Sequence, residues 1–174
     1  MSVMTEADDV QAVLAAAQKW DFVDTSQIVL LGASQGGMAS AVAALRDPEQ
    51  VKGLILLYPA LLIHDAVHEQ FAALEDVPDK FNYNGWIRVA SNYVSDVWDY
   101  DIFAEMERFE KPVLILHGNH DGIVDLSYSE HAAESYPNAK LRILNGAGHG
   151  FYGSSFYEAM EYILNYLREN GVLV

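Results

Sequence analysis

Apolar residues gather into four short runs, Ile28–Leu31, Leu54–Tyr58, Val113–His117 and Leu141–Leu144, each rich in Ile, Val and Leu and without clean alternation. That pattern belongs to strands covered on both faces, as in a parallel sheet. Glycine follows the first, third and fourth runs, at Gly32, Gly118 and Gly146. Around the runs the spacing becomes helical. Val10, Val13, Leu14 and Ala17 share one face, with Thr5 and Asp8 in capping-box register. Met38 to Leu45 reads as a small-residue helix, and His131 to Tyr136 as the end of a helix begun near Leu126. Phe156, Met160, Ile163 and Leu167 make a last stripe, with Ser155 and Glu158 as its cap and Gly171 beyond its end. Strands alternating with helices predict right-handed crossovers. The expected class is therefore α/β, a parallel sheet flanked by helices in one domain over residues 1–174. Pro59 to Lys111 breaks the rhythm. It shows no convincing strand and is rich in Asp and in aromatics (Phe71, Phe81, Tyr83, Trp86, Tyr93, Trp98, Tyr100), so it reads as a helical cap insertion over about residues 59–111.

Composition narrows the function classes. A length of 174 residues suits a single domain with a sizeable core. The formal net charge of −15, from 25 acidic and 10 basic side chains, opposes binding to nucleic acid or an anionic membrane. Without cysteine there is no disulfide framework and no thiolate metal site. His117 and His120 beside Asp121 form too small a ligand set to predict a metal, and no cofactor is expected. The opening MSVMTEADDVQAVL lacks a basic region followed by an apolar stretch. The longest apolar stretch, Gly53 to Ile63, is interrupted by Pro59 and too short to span a bilayer, so a cytoplasmic location is expected.

The candidate chemistry sits just past the predicted strand ends. Gly32-Ala33-Ser34-Gln35-Gly36 lies between a strand and a small-residue helix, the context of a nucleophile elbow. In such a turn the glycines remove side chains that would clash, and the serine hydroxyl stands above the sheet edge. A serine also occurs in ordinary tight turns, and it becomes a nucleophile only when a base takes its proton. Of the six histidines, His149 in Gly146-Ala147-Gly148-His149-Gly150 follows the last strand, in a loop supple enough to approach the elbow. His117 ends a strand and reads as a buried structural histidine. The carboxylate that orients the base is expected at Asp121, with Asp125 as the alternative. Asp121 would otherwise be a turn residue before Gly122, and His149 a surface-loop histidine. The set Ser34, Asp121, His149 runs in the order nucleophile, acid, histidine.

The stretches IVLLGASQGGM, KPVLILHGNHDGIVD and LRILNGAGHGFYGS resemble the α/β-hydrolase superfamily, in particular small bacterial serine esterases of the cinnamoyl/feruloyl esterase and lysophospholipase-like group. FNYNGWIRVASNYVSDVWDYDIF looks like the cap over the acyl site in that group. The resemblance implies that Ser34 attacks an ester carbonyl, His149 relays its proton, and Asp121 holds the imidazolium. It implies one oxyanion donor at the backbone N–H of Gln35, and stacking of an aromatic acyl group on Trp86 and Tyr83. The substrate would be a small-molecule ester. Family members carry a further portion before the helix that starts here near Thr5, with a His-Gly loop supplying a second oxyanion donor; no stretch of this sequence matches that loop. The chain is thus expected to correspond to the C-terminal two thirds of such a hydrolase. Its nucleophile strand would lie at a sheet edge, where it invites homo-oligomer formation. The rival expectations are a thioesterase or peptidase on the same scaffold, and a catalytically impaired fragment serving as an interaction module.

Overall fold

The computed structural model describes every residue except Asn84, Trp86 and Val174. Four parallel strands form the central sheet: β1 (Val29–Ala33), β2 (Gly53–Leu57), β5 (Val113–Gly118) and β6 (Ala139–Leu144), side by side in that order. These are the four predicted strands, each moved by at most two residues at an end. β1 sits at one edge, paired only with β2, in the register Val29 to Gly53 and Ala33 to Leu57.

Successive strand residues face opposite sides. Leu54, Leu56, Val113 and Ile115 enter one apolar cluster, while Ile55, Leu114 and Leu116 enter another. The first cluster is closed by α1 (Val3–Ala17), α2 (Gln35–Arg46) and the insertion. The second is closed by α7 (Ser154–Glu169) through Ala159, Ile163 and Tyr166. α2 is buried from Gly37 to Leu45. Its small side chains let it lie flush against the sheet, so the residue that opens it is held with little play.

The insertion departs from the expected all-helical character. It contains α3 (Ile63–Gln70), α4 (Asn92–Ser95) and α5 (Ile102–Met106), but also an antiparallel hairpin, β3 (Lys80–Tyr83) and β4 (Ile87–Ala90). Along β3, half-buried Phe81 and Tyr83 alternate with exposed Lys80 and Asn82. The strands have only four residues each, too short for period-two alternation to stand out among so many aromatics. The Asn84-Gly85 dipeptide between them is a hairpin-turn signal that the helical reading passed over.

Helix starts needed correction as well. α1 is capped by Ser2, whose hydroxyl accepts from the Thr5 N–H while Thr5 Oγ1 accepts from the Ser2 N–H, so Thr5 is the third helical residue and not the cap. At α7 the cap position is Gly153, and Ser155 instead exchanges two hydrogen bonds with the Tyr152 backbone. Within the predicted α7 stripe, Ile163 is buried but Phe156 and Met160 are exposed. The packed face is rotated toward Ala159 and Tyr166, whose hydroxyl donates to the Pro112 carbonyl. The last helix before β6 is α6 (Leu126–Ser135), as expected. Among the described residues no helix is long and apolar enough to cross a membrane.

Candidate active site

The turn after β1 carries a strained residue. Ser34 has φ 52° and ψ −125°, a region that L-residues rarely occupy. Its backbone holds the strain in place: the N–H donates to Leu57, and the carbonyl accepts from Gly37 and Ala60, each at 2.9–3.0 Å. Gly32 makes the turn sterically possible. A Cβ there would lie 2.2 Å from the Gly36 carbonyl oxygen, which is backbone and cannot swing aside. Gln35 opens α2, so its N–H has no acceptor within the helix.

Two further loops converge on the serine. Gly118, at the end of β5, would clash at 2.2 Å with the Ala147 carbonyl if it carried a Cβ, so the loops after β5 and β6 pack in direct contact. The His120 N–H donates to Ala147, and the Gly146 N–H donates to Asn119 Oδ1 at 2.7 Å. These links set His149 between the serine and Asp121. The Ser34 hydroxyl lies 2.9 Å from His149 Nε2, and His149 Nδ1 lies 2.9 Å from Asp121 Oδ2. Nδ1 faces a carboxylate, which only accepts. It therefore carries the ring proton and leaves Nε2 free to take one from serine.

The Asp121 side chain is sealed from solvent. Burial opposes its ionisation, but the Val124 and Ile123 N–H groups donating to Oδ1 and His149 donating to Oδ2 outweigh that cost and hold the carboxyl below its usual range. The alternative acid, Asp125, is engaged elsewhere: its Oδ1 caps α6 by accepting from the Ser127 N–H at 2.8 Å. His117 is fully buried, as anticipated for a structural histidine.

Tyr58 is a site residue that the sequence reading counted only as the end of a strand. It follows β2 with φ 37°, and its ring meets His149 edge-on at 4.7 Å and Phe151 at 4.8 Å. Burial raises its phenol above the ordinary value, so it walls the imidazole as a neutral ring. Nothing in the sequence marks a positive φ at a tyrosine.

The Gln35 side chain was also missed. Its Nε2 donates to Glu6 at 2.7 Å, and its Oε1 accepts from the Tyr93 hydroxyl at 2.8 Å, tying the elbow to α1 and to the insertion. Tyr83 packs against Tyr93 with ring centroids 4.7 Å apart, two contacts from the elbow. Trp86, the other expected acyl contact, lies outside the described residues. Among the described residues no group of three or more His, Asp or Glu side chains is placed to hold a metal.

Comparison with known proteins agrees with this architecture. The model of the prolyl oligopeptidase family matches residues 4–171. Est1E from Butyrivibrio proteoclasticus superposes with a TM-score of 0.89 at 27% identity, over 99% of this chain and 72% of that one. The same enzyme with ferulic acid bound gives 0.88 at 26% identity, over 99% and 70%. Alpha/beta hydrolase domain-containing protein 10 from mouse shares the fold at a TM-score of 0.77 and 20% identity, over 97% of this chain and 70% of that one. A putative carbamate hydrolase RutD from Stutzerimonas stutzeri is 34% identical over 70 residues, which are 40% of this chain and only 26% of that curated relative.

Proposed function

The chain belongs to the prolyl oligopeptidase family of α/β-hydrolases, and from that premise we propose that it hydrolyses carboxylic esters through Ser34, His149 and Asp121, with an aromatic acyl group of cinnamoyl or feruloyl type as its preferred substrate. The observation that carries the reading is the continuous relay of two 2.9 Å contacts from Ser34 through His149 to a buried carboxylate. As the Ser34 oxygen bonds to the ester carbonyl carbon, its proton passes to His149 Nε2. The imidazolium so formed is stabilised by Asp121. The Gln35 N–H donates to the developing oxyanion; removing such a donor typically costs about 100–1000-fold in rate. Collapse breaks the bond to the alcohol, which leaves with the proton from His149. Water, deprotonated by the same imidazole, then releases the acid and restores Ser34.

The aromatic acyl preference rests on the Est1E likeness and on the tyrosine-rich insertion beside the elbow, with Tyr83 as a stacking surface. Methyl ferulate compared with methyl acetate and a prolyl p-nitroanilide tests it. The expected result is a higher kcat/KM for the ferulate than for the acetate, and no turnover of the anilide. Preference for acetate would leave an esterase without the aromatic specificity, and preference for the anilide would indicate a peptidase.

We also propose that a second copy of the chain pairs along the edge of β1. Among the described residues that strand pairs on one side alone, and Leu31 on it is 51% exposed. The net charge of −15 opposes association, so salt should strengthen it by screening. Light scattering is expected to show dimer or larger species increasing with concentration and with salt. A clean monomer at high concentration in 0.5 M salt would remove this assembly.

A further inference from the structure

The esterase mechanism leaves one buried histidine unused. His117, at the end of β5, is 0% exposed, yet all its polar contacts are made within the protein. Nδ1 lies 2.7 Å from the hydroxyl of Ser129, itself fully buried on α6. Nε2 lies 3.0 Å from the Val124 carbonyl oxygen and 3.3 Å from Asp121 Oδ2, the same oxygen that His149 contacts. Both neighbours of Nε2 are acceptors, so Nε2 carries a proton. Burial pushes the imidazole below its ordinary value, which keeps Nδ1 bare to accept from the Ser129 hydroxyl. Asp121 accepts three N–H groups, Ile123 and Val124 on Oδ1 and His149 on Oδ2, and the His117 Nε2–H that donates to Val124 also stands 3.3 Å from Oδ2.

We propose, building on the esterase reading, that His117 is a positioning residue for the catalytic acid: its Nε2–H donates to Val124, whose own N–H holds Asp121 Oδ1, and stands against Asp121 Oδ2, so that the carboxylate stays set against His149 and the base keeps one tautomer and one orientation. The neutral state is part of the device. A second imidazolium on the same oxygen would compete for the charge that stabilises protonated His149. The substrate never meets His117, which is sealed beneath the Asp121 loop. Its effect therefore belongs in kcat and not in KM.

Two near-isosteric variants separate positioning from mere support. The amide nitrogen of Gln reaches the place of histidine Nε2, whereas that of Asn reaches only the place of Nδ1. His117→Gln is expected to keep kcat on methyl ferulate within about threefold, and His117→Asn to lose about tenfold or more, the scale of one hydrogen bond to a charged group. KM should stay unchanged in both. Nitrogen-15 NMR of the wild type is expected to show His117 neutral and protonated at Nε2 from pH 6 to 8. An Nδ1–H tautomer, a cationic ring at pH 7, or equal kcat in folded Gln and Asn variants would overturn the proposal. Should either variant fail to fold, the wild-type tautomer alone decides. Loss of the esterase reading would look different, as a wild type that turns over no ester while the His117 tautomer is still readable.

Discussion

Ser34→Ala is expected to lower kcat/KM for methyl ferulate by about 10⁴-fold or more, to the residue of rate that binding and an oxyanion donor supply without a nucleophile. Among the described residues the Ser34 hydroxyl is the group hydrogen-bonded to His149 Nε2, at 2.9 Å, so its loss removes the nucleophile that the base serves. The fold should barely notice. The turn is held by backbone contacts from Leu57, Gly37 and Ala60, none of which involves the side chain, and Ala tolerates the Ser34 backbone no worse than Ser does. Thermal unfolding is expected within about 1 kcal/mol of wild type, the range for substitutions that disturb no packing. A Ser34→Ala variant that retained a tenth of the activity would mean that the chemistry uses another group.

Asp121→Asn is the second large effect, with a different cause. The Asn oxygen can still accept from Ile123 and Val124, which leaves its NH₂ in place of Oδ2, facing His149 Nδ1. Two donors cannot share that contact. The imidazole must shift its proton to Nε2, where it can no longer accept from Ser34, and kcat is expected to fall about 10⁴-fold with substrate binding little changed. Stability at low pH should respond as well. Folding lowers the Asp121 pKa, so the ionised carboxylate stabilises the native state at pH above about 4 and that contribution disappears as pH falls through the lower folded value. The wild type is thus expected to lose stability more steeply than the variant below pH 4, as read from urea midpoints across pH.

Much of the site was legible because it is built from strand ends. An apolar run that stops at Gly32, Gly118 or Gly146 marks the place where the chain leaves the sheet, and parallel strands bring those places to one edge. The residues just beyond, Ser34, Asp121 and His149, are then brought together by topology before any side-chain detail is known. The choice between Asp121 and Asp125 was less legible, because both precede short turns; the structure separates them by giving Asp125 to the cap of α6. Tyr58 and Gln35 act through contacts between residues far apart in sequence, and Tyr58 also through a backbone angle. Neither leaves a local pattern. The β3–β4 hairpin was missed for a related reason. Four-residue strands bury alternate side chains against the rest of the insertion, and that partner is a tertiary fact.

Ser34 is expected to be an activated nucleophile in this chain as it stands. A fluorophosphonate probe followed by mass spectrometry of the intact protein and its peptides measures that directly. One adduct per chain is expected, on the peptide containing Ser34, formed rapidly in the wild type, far more slowly in Asp121→Asn and not at all in Ser34→Ala. A folded wild type that gives no adduct, or an adduct on a different residue, would contradict it.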